Sequence, residues 1–144
     1  MIQRIQSLYL ILVALISNGL IFIMNLWTID GNDYITIKGL LTSVDFFQIV
    51  LAIMFLATGV LSLISLFLFK NRLLQIRINR VNIIVNLILF GLLIFNLLNL
   101  SGEFQHSLKG IGIWLPLGLI VLLFLANRAI QKDENLVKSV DRIR

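Results

Sequence analysis

Side chains that commonly carry out chemistry are scarce in this sequence. There is no cysteine and only one histidine, His106, so neither a thiolate site nor a pair of imidazole ligands can form. Asp30, Asp33 and Asp45 could attract a hard cation, but they lack the dense ligand spacing of a calcium loop and fit a solvated turn better. We therefore predict no catalytic residue, no metal site and no cofactor, and we expect the protein not to be an enzyme.

The remaining polar side chains of interest are amides and hydroxyls inside apolar stretches. They recur at helical spacing, which places those of one helix on a single face. These polar seam residues are Asn18, Asn25, Thr58, Ser62, Ser65, Asn82, Asn86 and Asn96, and Asn79 falls on the same arc as Asn82. Such groups hydrogen-bond between helices in lipid, so helix packing is the leading interpretation. A polar pocket or pore lined by the asparagines is the alternative.

The composition indicates which elements must position these residues. Of the 144 residues, 59% are hydrophobic and 13% are charged, with a mean hydropathy of +1.01. A soluble domain is about half apolar and about a quarter charged. Most of the apolar surface must therefore face lipid, and we predict one membrane domain over residues 1–144.

Four stretches are long and apolar enough to cross a bilayer as helices. A crossing needs about 20 apolar residues, and the predicted spans are about 8–27, 46–69, 81–100 and 111–130. The fourth reaches this length only if Arg128 extends its guanidinium to the interface. The predicted fold class is an all-α membrane protein with four transmembrane helices in a bundle.

The basic residues predict the orientation of these spans. Ten of the twelve fall on one side of the predicted membrane, and only Lys38 and Lys109 fall on the other. The ten are Arg4, Lys70, Arg72, Arg77, Arg80, Arg128, Lys132, Lys138, Arg142 and Arg144. The positive-inside rule then places both termini and the middle connection in the cytoplasm. Because topology accounts for this charge, we expect no nucleic-acid partner despite an isoelectric point near 10.1.

The cytoplasmic tail, residues 128–144, is predicted to form an amphipathic helix. It contains no glycine or proline, and Leu136, Val140 and Ile143 fall on one helical face. That face could lie on the bilayer or dock on protein. The residues expected to contact a cytoplasmic partner or anionic phospholipid headgroups are Lys70, Arg72, Arg77, Arg80, Arg128, Asp133, Glu134, Asp141 and Arg142.

Three motifs resemble a known family. They are the opening Met-Ile-Gln-Arg-Ile-Gln at 1–6, the middle Phe-Lys-Asn-Arg at 69–72 with Gln75, Arg77, Arg80 and Asn82, and the ending from Phe124 to Arg144. The ending contains Ala-Asn-Arg-Ala-Ile and Asp-Glu-x-Leu-Val-x-Ser-x-Asp-Arg-x-Arg. Together they resemble a family of small four-helix inner-membrane proteins of Bacteroidetes, a domain of unknown function. The resemblance covers essentially the whole chain and implies a bacterial inner-membrane location without any activity.

Two functions remain open at this stage. The absence of chemical motifs and the motif-bearing cytoplasmic side favour an accessory, scaffold or assembly subunit of an inner-membrane complex. Its expected partners are the lipid bilayer and either another membrane protein or further copies of itself. The alternative is a small transporter or channel for a small solute, acting alone or as an oligomer, with the polar seams lining its path.

Overall fold

The computed structural model describes residues 3–19, 27–29, 33–35, 37–42, 45–99 and 111–141. Four long helices account for most of these residues. The helices are α1 (Gln3–Asn18), α2 (Ile37–Leu41), α3 (Phe46–Phe67), α4 (Arg72–Asn99) and α5 (Leu115–Asp141), with a 3-10 helix at Ile111–Trp114 before α5. Two strands, β1 (Trp27–Ile29) and β2 (Asp33–Ile35), form an antiparallel pair in register Trp27 to Ile35. This short hairpin adds a small β-structure to the helical fold that was expected.

The four long helices pack in a ring. Helix α1 packs against α3 and α5, and α4 packs against the same two helices from the opposite side. The chain joins α3 to α4 through the short segment 68–71, which makes these two helices antiparallel neighbours. The arrangement is a bundle in which α1 and α4 lie diagonally opposite each other.

Three of these helices are long and apolar enough to cross a membrane. The qualifying segments are Phe46–Phe67, Arg72–Asn96 and Gly112–Ser139, which correspond to the second, third and fourth predicted spans. Helix α1 has 16 residues and is therefore about 24 Å long, less than the hydrocarbon thickness of about 30 Å. Residues 20–26 of the first predicted span lie outside the described residues.

Two helices extend beyond their predicted spans. Helix α4 begins at Arg72, so the basic segment expected between the second and third spans is mostly helical. Asn71 precedes it, and its carbonyl accepts a hydrogen bond from the Gln75 amide at 3.0 Å. Helix α5 runs without a break from the membrane-type segment into the predicted tail and is described as far as Asp141. Pro116 lies in its first turn, where the missing N–H removes no intrahelical bond.

The interior contains two apolar clusters. One joins α2, α3 and α4 through Leu40, Leu51, Ala52, Phe55, Leu89 and Leu93, and the other joins α1 to α5 through Leu10, Val13, Leu119, Leu123 and Ala126. Large apolar side chains also cover the outside of the bundle, and Phe46 and Phe67 are 80% and 74% exposed. A soluble protein rarely exposes so much apolar surface, whereas a helix in lipid requires it.

Helices α1 and α3 approach closely at Gly59. A methyl group at this position would overlap the side-chain amide of Asn18. The absence of a side chain at Gly59 therefore lets the two helices pack at short range, as small residues do in membrane bundles. In contrast, a methyl group at Gly91 or Gly118 would meet nothing within 4 Å.

Candidate functional site

The polar side chains of α3, α4 and α5 converge inside the bundle. Thr58, Ser62 and Ser65 of α3 and Asn79, Asn82 and Asn86 of α4 are completely buried, and Asn127 of α5 is 6% exposed. Their positions follow from helical spacing, which keeps each set on the inward face. We call these seven residues the polar core.

Asn82 joins α4 to α3, and Asn86 bonds to Asn82 within α4. The Asn82 side chain donates hydrogen bonds from Nδ2 to the Thr58 carbonyl at 3.0 Å and to Ser62 Oγ at 2.9 Å. Asn86 Nδ2 donates to the carbonyl of Asn82 at 2.9 Å and to its Oδ1 at 3.1 Å. The bonds of Asn82 therefore fix the axial register of α4 against α3.

Asn79 links three helices. It accepts a hydrogen bond from Ser65 Oγ of α3 at Oδ1, at 2.6 Å, and donates from Nδ2 to Asn127 Oδ1 of α5, at 3.0 Å. Sequence reasoning placed Asn79 on the right arc but did not select it, and it missed Asn127. Asn127 lies eleven residues after Pro116, which places the two about 20° apart around the axis of α5. Both are buried, so this spacing could have indicated that Asn127 faces inward.

Among the described residues, four buried side-chain amide atoms have no hydrogen-bond partner. They are Gln6 Oε1, Gln75 Oε1, Asn86 Oδ1 and Asn96 Nδ2, all shielded from solvent. Gln6 of α1 and Gln75 of α4 are each 1% exposed. An unpaired buried amide costs about 1–3 kcal/mol unless water or a ligand satisfies it.

The other predicted seam residues occupy mixed positions. Asn18 is half-buried beside Gly59, and Asn96 is half-buried near the other end of α4. Asn25 lies outside the described residues. Ser17, which was not selected from the sequence, is buried in α1, but its hydroxyl donates to the Val13 carbonyl of its own helix at 2.7 Å. Both hydrogen bonds of the Ser17 hydroxyl are therefore made within α1.

The residues expected to contact a cytoplasmic partner or lipid divide into exposed and buried members. Lys70, Arg77, Arg80 and Arg128 are exposed, and Arg72 is half-buried. Glu134 forms an ion pair with Lys138 at 3.4 Å, whereas Asp133 is only 8% exposed and faces the bundle. Asp141 is the last residue of α5, and Arg142 lies outside the described residues.

Two clefts open near these charged residues. One, of about 540 Å³, lies between the start of α4 and the end of α5, and the other, of about 390 Å³, lies between α1 and α5. The larger is lined by Lys70, Asn71, Arg72, Leu73, Leu74, Arg77, Glu134 and Val137. The smaller is lined by Ile5, Tyr9, Leu125, Arg128, Ala129, Lys132, Asp133 and Leu136.

No group of three or more metal-binding side chains occurs in the described part of the chain. Asp45, considered above as a cation ligand, instead accepts a hydrogen bond from Gln48 Nε2 at 3.1 Å at the start of α3. Asp30 and His106 lie outside the described residues. The polar core and the two clefts are therefore the candidate functional features.

Replacing a hydrogen-bonded asparagine and replacing an unpaired one should affect stability differently. Asn79→Leu removes two interhelical hydrogen bonds and strands Ser65 and Asn127, so we expect a loss of about 1–3 kcal/mol in the free energy of unfolding. Asn96→Leu removes an unpaired Nδ2 and should change stability by less than about 0.5 kcal/mol or increase it. Denaturant unfolding in detergent, followed by circular dichroism, measures both. Equal losses would contradict the assignment of Asn79 as the link.

Comparison with known proteins identifies the family. Residues 2–143 match the family described as "Domain of unknown function (DUF4293)". No curated protein and no solved structure matches the chain significantly. The match spans nearly the whole chain and confirms the unknown-function family that the sequence motifs indicated. The chain, with its membrane-type bundle and polar core, therefore belongs to the DUF4293 family.

Proposed function

We propose that this chain is a non-enzymatic integral membrane protein that serves as an accessory, scaffold or assembly subunit of an inner-membrane complex. The main support is the hydrogen bonding of the polar core. The side-chain amides of Asn79, Asn82 and Asn86 donate to neighbouring groups of the bundle. Such side chains stabilise a rigid bundle and leave its basic end for interaction. That end carries exposed Lys70, Arg77 and Arg80.

The proposal includes four membrane crossings with both termini in the cytoplasm of a bacterial cell. Its support is the distribution of basic residues, since positive charge concentrates on cytoplasmic segments near the membrane. Helix α1 would complete its crossing with the apolar residues that follow Asn18. The anionic lipids of the inner leaflet would then face the basic end of the bundle.

Single cysteines test this topology cleanly because the chain has no native thiol. In spheroplasts, we expect a membrane-impermeant maleimide to label Ser107→Cys directly. Gln3→Cys, Asn71→Cys and Ser139→Cys should react only after permeabilisation. If Gln3→Cys also reacted directly while Asn71→Cys and Ser139→Cys did not, α1 would not cross the membrane.

A scaffold must bind something, so purification in mild detergent should recover a membrane partner at a fixed ratio. We expect Arg77→Gln with Arg80→Gln to reduce that ratio at least several-fold, because both exposed cations lie on the proposed binding end. The matched control, Lys38→Gln with Lys109→Gln, removes the same charge from the other predicted side. Partner ratios are measured by quantitative mass spectrometry. A homogeneous lone species in several detergents would overturn the proposal.

The alternative is a small transporter or channel, and one observation favours it. Water inside the bundle would satisfy the unpaired amide atoms Gln6 Oε1, Gln75 Oε1, Asn86 Oδ1 and Asn96 Nδ2. A transport path for a small polar solute requires such a hydrated interior. No aspartate, glutamate, lysine or arginine lies between Phe46 and Phe67, so any path along α3 would be neutral.

Flux through liposomes separates the two functions. The scaffold proposal predicts that purified wild-type protein passes small solutes and ions no faster than protein-free liposomes do. Asn86→Leu and Asn96→Leu should then also have no effect on flux. A wild-type flux that either variant reduces would establish the transporter and refute the scaffold.

A further inference from the structure

The larger cleft has an unusual charge composition. Lys70, Arg72 and Arg77 line it, and the only acidic side chain in its lining is Glu134. The Glu134 carboxylate already pairs with Lys138 at 3.4 Å. Across the described ranges this is the sole ion pair, so none of the three cations of the cleft has an acidic partner among the residues described.

Three neighbouring cations raise the local potential and attract an anion. Their mutual repulsion is unfavourable, and the shape of a cleft concentrates the field more than a flat surface does. Lys70 and Arg77 are exposed at the rim, whereas Arg72 is half-buried. The cleft of about 540 Å³ therefore has three cations along the wall at the start of α4.

Arg72 indicates which kind of ligand the cleft would favour. Its Nη1 is shielded from solvent and has no hydrogen-bond partner. A guanidinium N–H always remains a donor, and leaving a charged donor unpaired in a shielded place is costly. Because the described chain offers it no acceptor, an acceptor from outside the chain would relieve this cost. An anionic oxygen is the strongest such acceptor.

The remaining lining indicates what kind of anion fits. The Asn71 side chain adds amide hydrogen-bonding groups, and the first-turn amides of α4 at Leu73 and Leu74 lack carbonyl partners within the helix. A phosphate group has several acceptor oxygens and matches the planar guanidinium in a bidentate manner. The apolar side chains of Leu73, Leu74 and Val137 form another part of the wall.

We propose that the cleft between α4 and α5 binds a phosphate group through Lys70, Arg72 and Arg77. The phosphate belongs either to an anionic lipid headgroup or to a free phosphate ion, and both present the same oxygens to the cations. The inference deepens the proposed function, because it rests on the basic end of the bundle and names a ligand class for it. It requires no protein partner, so it can be tested on the isolated chain.

The smaller cleft, between α1 and α5, supplies a matched control. It also contains two exposed cations, Arg128 and Lys132, but it has a buried acid, Asp133, in its lining and no orphaned cationic nitrogen. Removing Arg128 and Lys132 changes the net charge as much as removing Lys70 and Arg77 does. A difference between the two double variants therefore reports the cleft rather than the total charge.

The test uses full-length protein purified in an uncharged detergent. Inorganic phosphate is titrated by calorimetry, and phosphatidylglycerol binding is counted by native mass spectrometry. We expect Lys70→Gln with Arg77→Gln to weaken binding by about tenfold or more, and Arg128→Gln with Lys132→Gln to weaken it less than twofold. Glu134→Gln should strengthen binding several-fold, because it removes the only negative charge in the lining.

The outcomes divide cleanly. This pattern with phosphatidylglycerol alone supports a headgroup site, and the pattern with inorganic phosphate as well supports a site that also accepts free phosphate. Equal weakening in both double variants, or no binding of either probe, would overturn the proposal. A failure of partner co-purification with intact phosphate binding would remove the scaffold function and leave this site standing.

Discussion

Water is absent from the hydrocarbon core of a bilayer, so a polar group there must find its partner inside the protein. This requirement organises the bundle. Asn79 bonds to both Ser65 and Asn127 and so connects α3, α4 and α5 at one level. One turn further along α4, Asn82 bonds to Thr58 and Ser62. The amides thus align α3, α4 and α5 along their length.

Helix α1 is held by different forces. Leu10 and Val13 pack on α5, and Gly59 allows α3 to come close to the amide of Asn18. Ser17 satisfies its hydroxyl within its own helix. Lipid competes with apolar packing more effectively than with buried hydrogen bonds, since its tails are as apolar as leucine. The hydrogen bonds of the polar core thus join α3, α4 and α5, and α1 packs beside them through Leu10, Val13 and the close approach at Gly59.

Polar character and charge are concentrated towards one end. From Asn86 towards the start of α4, the buried side chains include Asn82, Asn79 and Gln75, and the basic residues begin within the same helix. The continuous α5 brings Glu134 and Val137 beside the start of α4 and so forms one wall of the larger cleft. A break between span and tail would have left that wall free to move. Helix continuity thus couples the membrane bundle to its basic surface.

Composition and charge alone determined the class of this protein. Long apolar runs predicted membrane-type helices, confirmed for three of them, and the terminal and middle motifs indicated the unknown-function family. Spacing also predicted which residues share a helix face. Only the tertiary structure decided which partner each amide meets, because periodicity gives the angle around one axis and not the neighbour or the axial alignment. Asn79 and Asn127, 48 residues apart, are bonded, while Asn96, identical in type to both, retains an unpaired Nδ2.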